Sequence, residues 1–301
     1  MSILISKGTA NNVSIYTSDS SNISNTNNEI IFNKVMSNKI STPMFDYLMD
    51  YQNCRINDVR SIMEYNYGNI SLEIAESIQK EEIVDNNTIL LNNPIKNKAL
   101  KKTTLIEALK KRETVRKFIS KKISIDELSL ILKYSFGVKE DTQMLNGYKI
   151  PRRYYGSGGG LYPIRTYIFI NKVKGINEGI YKYQPITHSL RLIEQDHIEL
   201  HEFLENQASI DYHNINFAVL FVYEVNKSYM KYGELSLAHA FIEIGLMSQN
   251  LHLISSGIGL GTCDIGGFKK VILEKRMHLC GVNRQVLYCA LVGKGDEYVG
   301  I

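Results

Sequence analysis

The sequence predicts an α+β fold in which helices pack around an interior sheet. Apolar residues recur at helical spacing along residues 235–256, and additional apolar positions indicate a helix that is buried on more than one side. Several segments rich in β-branched and aromatic residues predict strands. These segments are residues 166–173, 180–183, 190–194, 217–225 and 285–292.

Two shorter helices are predicted ahead of these strands. Residues 103–111 have a helical pattern, and residues 125–134 follow Ser124 and Glu127, which match the two partners of a capping box. The long helix is expected to stop at Gly257, because glycine is favoured at helix C-termini. No internal repeat is evident, so residues 96–301 are predicted to form a single domain.

Residues 1–95 are predicted to form a separate, small and mainly helical module. Residues 18–29 are polar and of low complexity, which indicates loop or disorder. Residues 71–84 have a helical pattern with Ser71 as the N-cap. The sequence Asn92-Asn93-Pro94 then indicates a linker.

The composition is that of an ordinary globular protein, with 44% hydrophobic and 22% charged residues among 301. No apolar run is long enough to cross a bilayer and no secretory signal is evident, so a cytoplasmic location is expected. The net charge of +4 comes from scattered basic residues, which disfavours nucleic-acid binding and suits an anionic cofactor. The four cysteines and seven histidines lack metal-ligand spacing, so we expect buried thiols and no metal site.

Two glycine-rich segments, residues 156–161 and 257–262, could approach a flat ligand closely, because glycine adopts positive φ without strain. Each differs by one position from the dinucleotide fingerprint, so a structural turn remains the alternative. Arg112, Thr114 and Arg116 could clamp a phosphate. On spacing alone, a solvated helix end explains these basic residues as well.

Lys231 and Tyr232 stand just before the long helix. A lysine beside a phenol can lower the phenol's pKa, and the phenolate can then act as a general base. An exposed surface pair is the alternative. His239, on the long helix, is interpreted as a core histidine rather than a catalytic one.

Four segments in order resemble the SagB-type (SagB/ThcOx, McbC-like) dehydrogenases, which are FMN-dependent azoline dehydrogenases of the nitroreductase superfamily. The segments are RRYYGSGGGLYPI at 152–164, GIYKYQP at 179–185, KYG at 231–233 with Ala240, Glu243 and Gly245, and GIGLGTCDIGGF at 257–268. The resemblance covers about two thirds of the chain. It implies a nitroreductase-like fold with a central mixed or antiparallel sheet flanked by helices, and FMN at the interface of a homodimer.

The resemblance also implies the site residues. Lys231 and Tyr232 match the pair regarded as catalytic. The cofactor contacts correspond to Arg112, Thr114, Arg116, Ser157, Gly158, Gly159, Gly266, Gly267 and Lys294. The sequence departs from the family pattern where Gly156 replaces a proline, where Arg165 replaces an acid, and where Glu113-Thr114 replaces a more typical Arg-Ser; the first two changes are expected to reshape the active-site loop.

The implied function is oxidation of thiazoline or oxazoline rings to azoles in a ribosomally made precursor peptide. Tyr232 would take the α proton and Lys231 would stabilise the phenolate. Residues 1–95 would dock a cyclodehydratase partner. The alternatives are an NAD(P)H-dependent nitro or quinone reductase and a non-catalytic scaffold subunit of a peptide-modifying complex.

Overall fold

The computed structural model describes residues 82–94, 103–140, 151–195, 200–204, 212–279 and 281–296, single positions at 47, 63 and 210, and the backbone of four short strands. The chain divides into two compact units, Met1–Ile56 and Asn57–Ile301. In the first unit, β1 (Ile3–Lys7) pairs with β2 (Val13–Thr17) in an antiparallel ribbon. The low-complexity segment at 18–29 and the helix predicted at 71–84 lie outside the described residues, except for 82–84, which are not helical.

The second unit is built on an antiparallel sheet. Its strands are β3 (Thr88–Leu90), β6 (Ile164–Ile170), β7 (Gly179–Gln184), β8 (Ser189–Glu194), β9 (Phe217–Glu224), β10 (Gly261–Ile265) and β11 (Arg284–Gly293), with a separate hairpin of β4 (Gln143–Leu145) and β5 (Tyr148–Ile150). The strand order is β10-β11-β9-β6-β7-β8-β3, and every neighbouring pair is antiparallel. The expected sheet is therefore present in its antiparallel form.

The described helices of this unit begin at identifiable signals. They are α1 (Leu105–Lys111), α2 (Ile125–Phe136), α3 (Val225–Tyr232), α4 (Leu235–Gly257) and α5 (Lys270–Arg276). The capping box of Ser124 and Glu127 is confirmed at α2, and Thr104 with Glu107 forms a second one at α1. α4 ends at Gly257 as predicted, and the chain turns there with Gly259 at φ 79°. None of the described helices is both long and apolar enough to cross a membrane.

The sheet is buried on both faces. Along β9, Phe217, Val219 and Phe221 point into a core shared with α2 and α4, whereas Leu220 and Val222 point into a second core on the opposite face. This alternation follows from the two-residue period of a strand. The second core includes Cys263 and Cys289, which are buried thiols as predicted. Within the described part of the chain, no group of three or more His, Cys, Asp or Glu side chains could hold a metal ion.

The boundary predicted at residue 95 stays a prediction, and the described residues just before it, 82–94, contact the large sheet. β3 pairs with β8 in the large sheet, and Leu91 donates a backbone hydrogen bond to the carbonyl of His188. Residues 82–94 thus lie within the compact unit Asn57–Ile301. The sequence does not indicate this pairing, because β3 has three residues and its partner β8 lies about a hundred residues further along the chain.

Candidate functional site

The glycine loop, residues 156–160, packs its backbone against side chains of α3 and α4. Gly159 and Gly160 have φ of 61° and 70°, the region that favours glycine. A Cβ on Gly159 would contact the Tyr232 hydroxyl and lie 2.9 Å from Nζ of Lys231. A Cβ on Gly158 would lie 2.8 Å from Nδ1 of His239. The loop therefore requires glycine because its backbone rests directly on these side chains.

Lys231 and Tyr232 occupy the last turn of α3, and Gly233 reverses the chain into α4 with φ 51°. Nζ of Lys231 lies 5.3 Å from the centroid of the Tyr232 ring. The ring also makes an edge-to-face contact with His239, with centroids 4.6 Å apart and an interplanar angle of 88°. The sequence pair is thus brought against the glycine loop, and it is not a plain surface pair.

Burial favours the neutral forms of Lys231, Tyr232 and His239. It raises the pKa of Tyr232 and lowers the pKa values of Lys231 and His239. From the sequence, the neighbouring lysine was expected to lower the pKa of Tyr232, but its pKa is raised. Desolvation disfavours the charged form of each group, and it is the cause of all three shifts. A neutral phenol beside an amine of lowered basicity is therefore the resting arrangement.

One face of α4 supports the glycine loop. His239, Glu243, Leu246 and Asn250 recur at helical spacing, and each contacts the loop or the chain just before or after it. Glu243 accepts from the backbone N–H of Ile164 at 3.4 Å and hydrogen-bonds to the Ser157 hydroxyl. Burial raises the pKa of Glu243 to about 7. A buried carboxyl thus ties the loop to the helix.

Arg165, which departs from the family pattern, is accommodated by a buried ion pair. Its Nη2 lies 3.0 Å from Oε2 of Glu224, and its Nη1 donates to the carbonyl of Tyr162 at 2.9 Å. Glu224 immediately precedes α3, and its backbone N–H donates to the carbonyl of Pro163. The pair therefore connects the end of the glycine loop to the start of the helix that carries Lys231 and Tyr232.

A separate cleft of about 390 Å³ lies beside Arg112 and Thr114. Alternation along this extended segment turns Glu113 and Val115 to a second cleft, of about 360 Å³. Apolar groups of Phe241, Ile244 and Tyr288 line part of the first cleft, and Ser248, His252 and Asp264 line another part. The cleft thus has a cationic end at Arg112, an apolar wall, and a polar floor formed by Ser248, His252 and Asp264.

The polar floor is a hydrogen-bonded network that the sequence did not reveal. Ser248 donates to the carboxylate of Asp264 at 2.8 Å and 3.0 Å. Nε2 of His252 lies 3.3 Å from Oδ2 of Asp264, and Nδ1 of His252 hydrogen-bonds to the Thr262 hydroxyl. These residues come from α4 and β10. The only local signal was the position of Asp264 inside the segment GIGLGTCDIGGF.

The remaining predicted cofactor residues are dispersed. Gly266 and Gly267 directly follow β10, and a Cβ on Gly266 would come no closer to Tyr288 than 4.0 Å. Arg116 is exposed, and its charge acts on the buried thiol of Cys263. Lys294 lines the second cleft, where its Nζ donates to the carbonyl of Gly259 at 2.9 Å. Arg112 and Thr114 therefore share the first cleft, whereas Lys294 does not line it.

Comparisons with known proteins agree with this architecture. The model of the Nitroreductase family matches residues 109–294. The Methanocaldococcus jannaschii protein MJ1384, which carries the name nitroreductase, is 32% identical over 167 residues, 54% of this chain and 79% of that protein. The microcin B17-processing protein McbC of Escherichia coli is 29% identical over 135 residues, 42% of this chain and 49% of that protein.

A solved structure extends the comparison of folds. It is the Escherichia coli microcin synthetase McbBCD complex with truncated pro-MccB17 bound. A chain of that complex superimposes with a TM-score of 0.55 at 19% identity, covering 86% of this chain and all of that one. At this identity the match speaks for the shared fold.

Proposed function

Because the chain belongs to the Nitroreductase family, we propose that it is an FMN-dependent oxidase that converts thiazoline or oxazoline rings of a ribosomally made precursor peptide into thiazoles or oxazoles. The observation that carries the proposal is the contact of the glycine loop with Lys231 and Tyr232. A proton acceptor held beside a backbone turn suits a reaction that removes an acidic C–H proton. The similarity to McbC, a microcin-processing protein, supports the choice of substrate class.

The cleft beside Arg112 fits FMN. Its volume lies within the roughly 300–1,000 Å³ that is usual for small-molecule sites. The Arg112 guanidinium and the Thr114 hydroxyl are the donors that a phosphate requires, and the apolar wall of Phe241, Ile244 and Tyr288 suits a flat ring. When bound, FMN supplies the hydride acceptor, whereas the protein supplies orientation and proton transfer.

We assign proton acceptance to Lys231 and orientation to Tyr232. The α proton of an azoline is acidified by the flanking carbonyl and imine groups, so a positioned base suffices and contributes about 10²–10⁴-fold. Burial lowers the pKa of Lys231, which increases its neutral amine fraction, and raises the pKa of Tyr232, which keeps the phenol protonated. From the sequence, Tyr232 was expected to take the proton and Lys231 to assist it; the directions of the two pKa shifts favour the reverse. Tyr232, packed on His239, can donate a hydrogen bond to the substrate.

The test uses FMN-loaded protein and a synthetic azoline peptide, with the loss of two hydrogens followed by mass spectrometry. Lys231→Met should lower the rate by about 10²-fold or more. Tyr232→Phe should have the smaller effect, and Lys275→Met, at an exposed position on α5, serves as the control. The native rate should rise with pH through a pKa below the ordinary value of a lysine. Unchanged rates in both site variants would refute the proposal.

The proposed homodimer is supported by α4. The residues that hold the glycine loop and those that line the cleft, such as Ser248 and His252, fall on nearly opposite sides of this helix. Within one chain, the pair and the cleft are therefore separated by about the diameter of a helix, roughly 10 Å. Phe241, Ile242 and Leu246 also leave an apolar strip on α4 that is 44–62% exposed. We propose that a second copy covers this strip and that one chain's pair then faces the other chain's cleft.

Mixed dimers test this arrangement. At an FMN concentration that saturates the native protein but not Arg112→Leu, the Lys231→Met and Arg112→Leu chains should each be nearly inactive alone. Co-refolding them should restore about a quarter of the native activity, because one site in each mixed dimer is intact. A native protein that remains monomeric in light scattering, or mixtures that recover nothing, would exclude a shared site.

A cyclodehydratase is the proposed partner, because azolines must be formed before they can be oxidised. Docking remains assigned to the N-terminal region. The compact unit Met1–Ile56 can be deleted without removing β3, so this deletion is cleaner than one ending at residue 95. Undiminished co-purification of the shortened chain with the partner would exclude docking through that unit.

A nitro or quinone reductase is the second candidate, favoured by the similarity to MJ1384. Rapid reduction of the bound FMN by NADPH in a stopped-flow trace, without azoline oxidation, would select it. A scaffold subunit would instead purify colourless and fail to take up FMN.

A further inference from the structure

Asp264 is a carboxylate held in a fixed position at the cleft. Ser248 donates to both of its oxygens, and His252 lies 3.3 Å from Oδ2. His252 is itself buried and bonded to Thr262, so it cannot turn away. The side chain of Asp264 retains 31% of its exposure, and it lines the cleft. A negative charge is therefore presented to whatever occupies the cleft.

The extended segment 112–116 runs parallel to β10, and this pairing places Asp264 at the end of the cleft away from Arg112. Thr114 bridges to Thr262 in parallel. Arg112 stands two residues before this bridge and Asp264 two residues after it, so their backbones are about 13 Å apart along the segments at ~3.3 Å per residue. If a phosphate is held at Arg112, the ribityl chain extends from it and the flavin ring lies at the end of Asp264.

We infer that Asp264 is a fixed negative charge that lowers the reduction potential of the bound flavin. The inference rests on the proposed function, since it requires FMN in the cleft beside Arg112. Flavin gains two electrons and one proton on reduction, and therefore one negative charge, which a nearby carboxylate disfavours. Arg116 stands two residues after Thr114 and is therefore level with Asp264 in this pairing. It is more exposed than Asp264, and its positive charge opposes the effect in part.

The effect is large enough to measure. At about 7–10 Å and an effective dielectric constant of about 20, the repulsion weakens the binding of reduced relative to oxidised FMN by at least about tenfold. For a two-electron couple, tenfold corresponds to about 30 mV. A lower potential makes the reduced cofactor a stronger reductant, which favours its reoxidation by an external acceptor such as dioxygen.

The experiment is a spectroelectrochemical titration of FMN bound to the full-length protein. Asp264→Asn should raise the potential by about 30 mV or more, as a tenfold change requires. Asp264→Ser provides a second neutral variant that keeps a hydroxyl for His252, in case the first does not fold. Glu113→Gln removes the same charge from the neighbouring segment but faces the second cleft, so it should leave the potential unchanged.

The outcomes separate the inference from the proposed function. A potential that is unchanged in both Asp264 variants, with FMN still bound, would overturn the role of Asp264 alone. An equal shift in Glu113→Gln would overturn it too, since the effect would then be one of net charge. A native protein that binds no FMN would overturn the proposed function and the inference together.

Discussion

Adding a single methyl group to the glycine loop provides the sharpest test of the site. Gly159→Ala and Gly160→Ala place the same side chain on adjacent exposed residues whose φ angles are 61° and 70°. Both variants therefore carry the same left-handed backbone strain, about 1–2 kcal/mol. Only the methyl group on Gly159 meets Lys231 and Tyr232, the proposed catalytic pair, whereas a Cβ on Gly160 has nothing within 4 Å. The comparison thus separates backbone strain from displacement of the pair.

The expected magnitudes follow from this difference. Both variants should lose about the same stability, and their melting temperatures should fall by about 2–4 °C per kcal/mol. In Gly159→Ala, Nζ of Lys231 begins 2.9 Å from the new carbon. Ordinary contact starts near ~3.5 Å, so the nitrogen must retreat by about 0.6 Å, and the Tyr232 hydroxyl must move as well. Because a displacement of about 1 Å can cost about 10²-fold, azole formation should fall by that order.

The assay measures azole formation under saturating FMN, together with thermal melting of each variant. Gly160→Ala should keep its rate within about threefold, since its pair is undisturbed. Equal rates in the two alanine variants would refute the reasoning, because the contact with Lys231 and Tyr232 would then not matter to catalysis. Clearly unequal melting temperatures would contradict the separate expectation that the two variants carry the same backbone strain.

Three further predictions concern protonation and the cofactor. Burial raises the pKa of Glu243 to about 7, so the stability that this carboxyl contributes is complete below its ordinary pKa of 4.5 and is lost as the pH rises through 7. The melting temperature of the native protein should therefore fall over this pH range, and that of Glu243→Gln should not. Parallel pH profiles of the two melting temperatures would contradict the prediction. Burial lowers the pKa of His188 to about 4, so up to about 3 kcal/mol is lost as the pH falls from about 6.5 to 4. Urea unfolding should show that His188→Asn, which tolerates the positive φ, removes this loss. Arg112→Leu should weaken FMN binding by about tenfold or more and leave riboflavin binding unchanged, as measured by flavin fluorescence; an equal loss for both ligands would mean that Arg112 does not contact the phosphate.

Local signals explain why most of the fold could be predicted. Ser124 with Glu127 marks the start of α2, the β-branched and aromatic runs mark β6 to β9 and β11, and the apolar periodicity marks α4. Two of the elements that were missed, α3 and β10, lack such signals. α3 reads VNKSYMKY and has no side-chain cap, and β10 reads GTCDI, with few residues that favour strands. Both are formed by their partners, since Val225 donates to the carbonyl of Asn283 and β10 pairs along β11.

Helix α4 explains why the parts of the site could be recognised singly but not assembled from the sequence. One face of the helix holds the glycine loop through His239 and Glu243, and the opposite face presents Ser248 and His252 to the cleft. These polar side chains are spread over a helix of 23 residues that is otherwise largely apolar. In the sequence they therefore look like isolated polar residues of a buried helix, and not like two opposite functional faces. With the proposed proton acceptor on one side of α4 and the proposed cofactor cleft on the other, a single chain does not bring the two together. The proposed reaction therefore depends on a second copy, and any change that separates the copies should abolish azole formation while leaving the flavin bound.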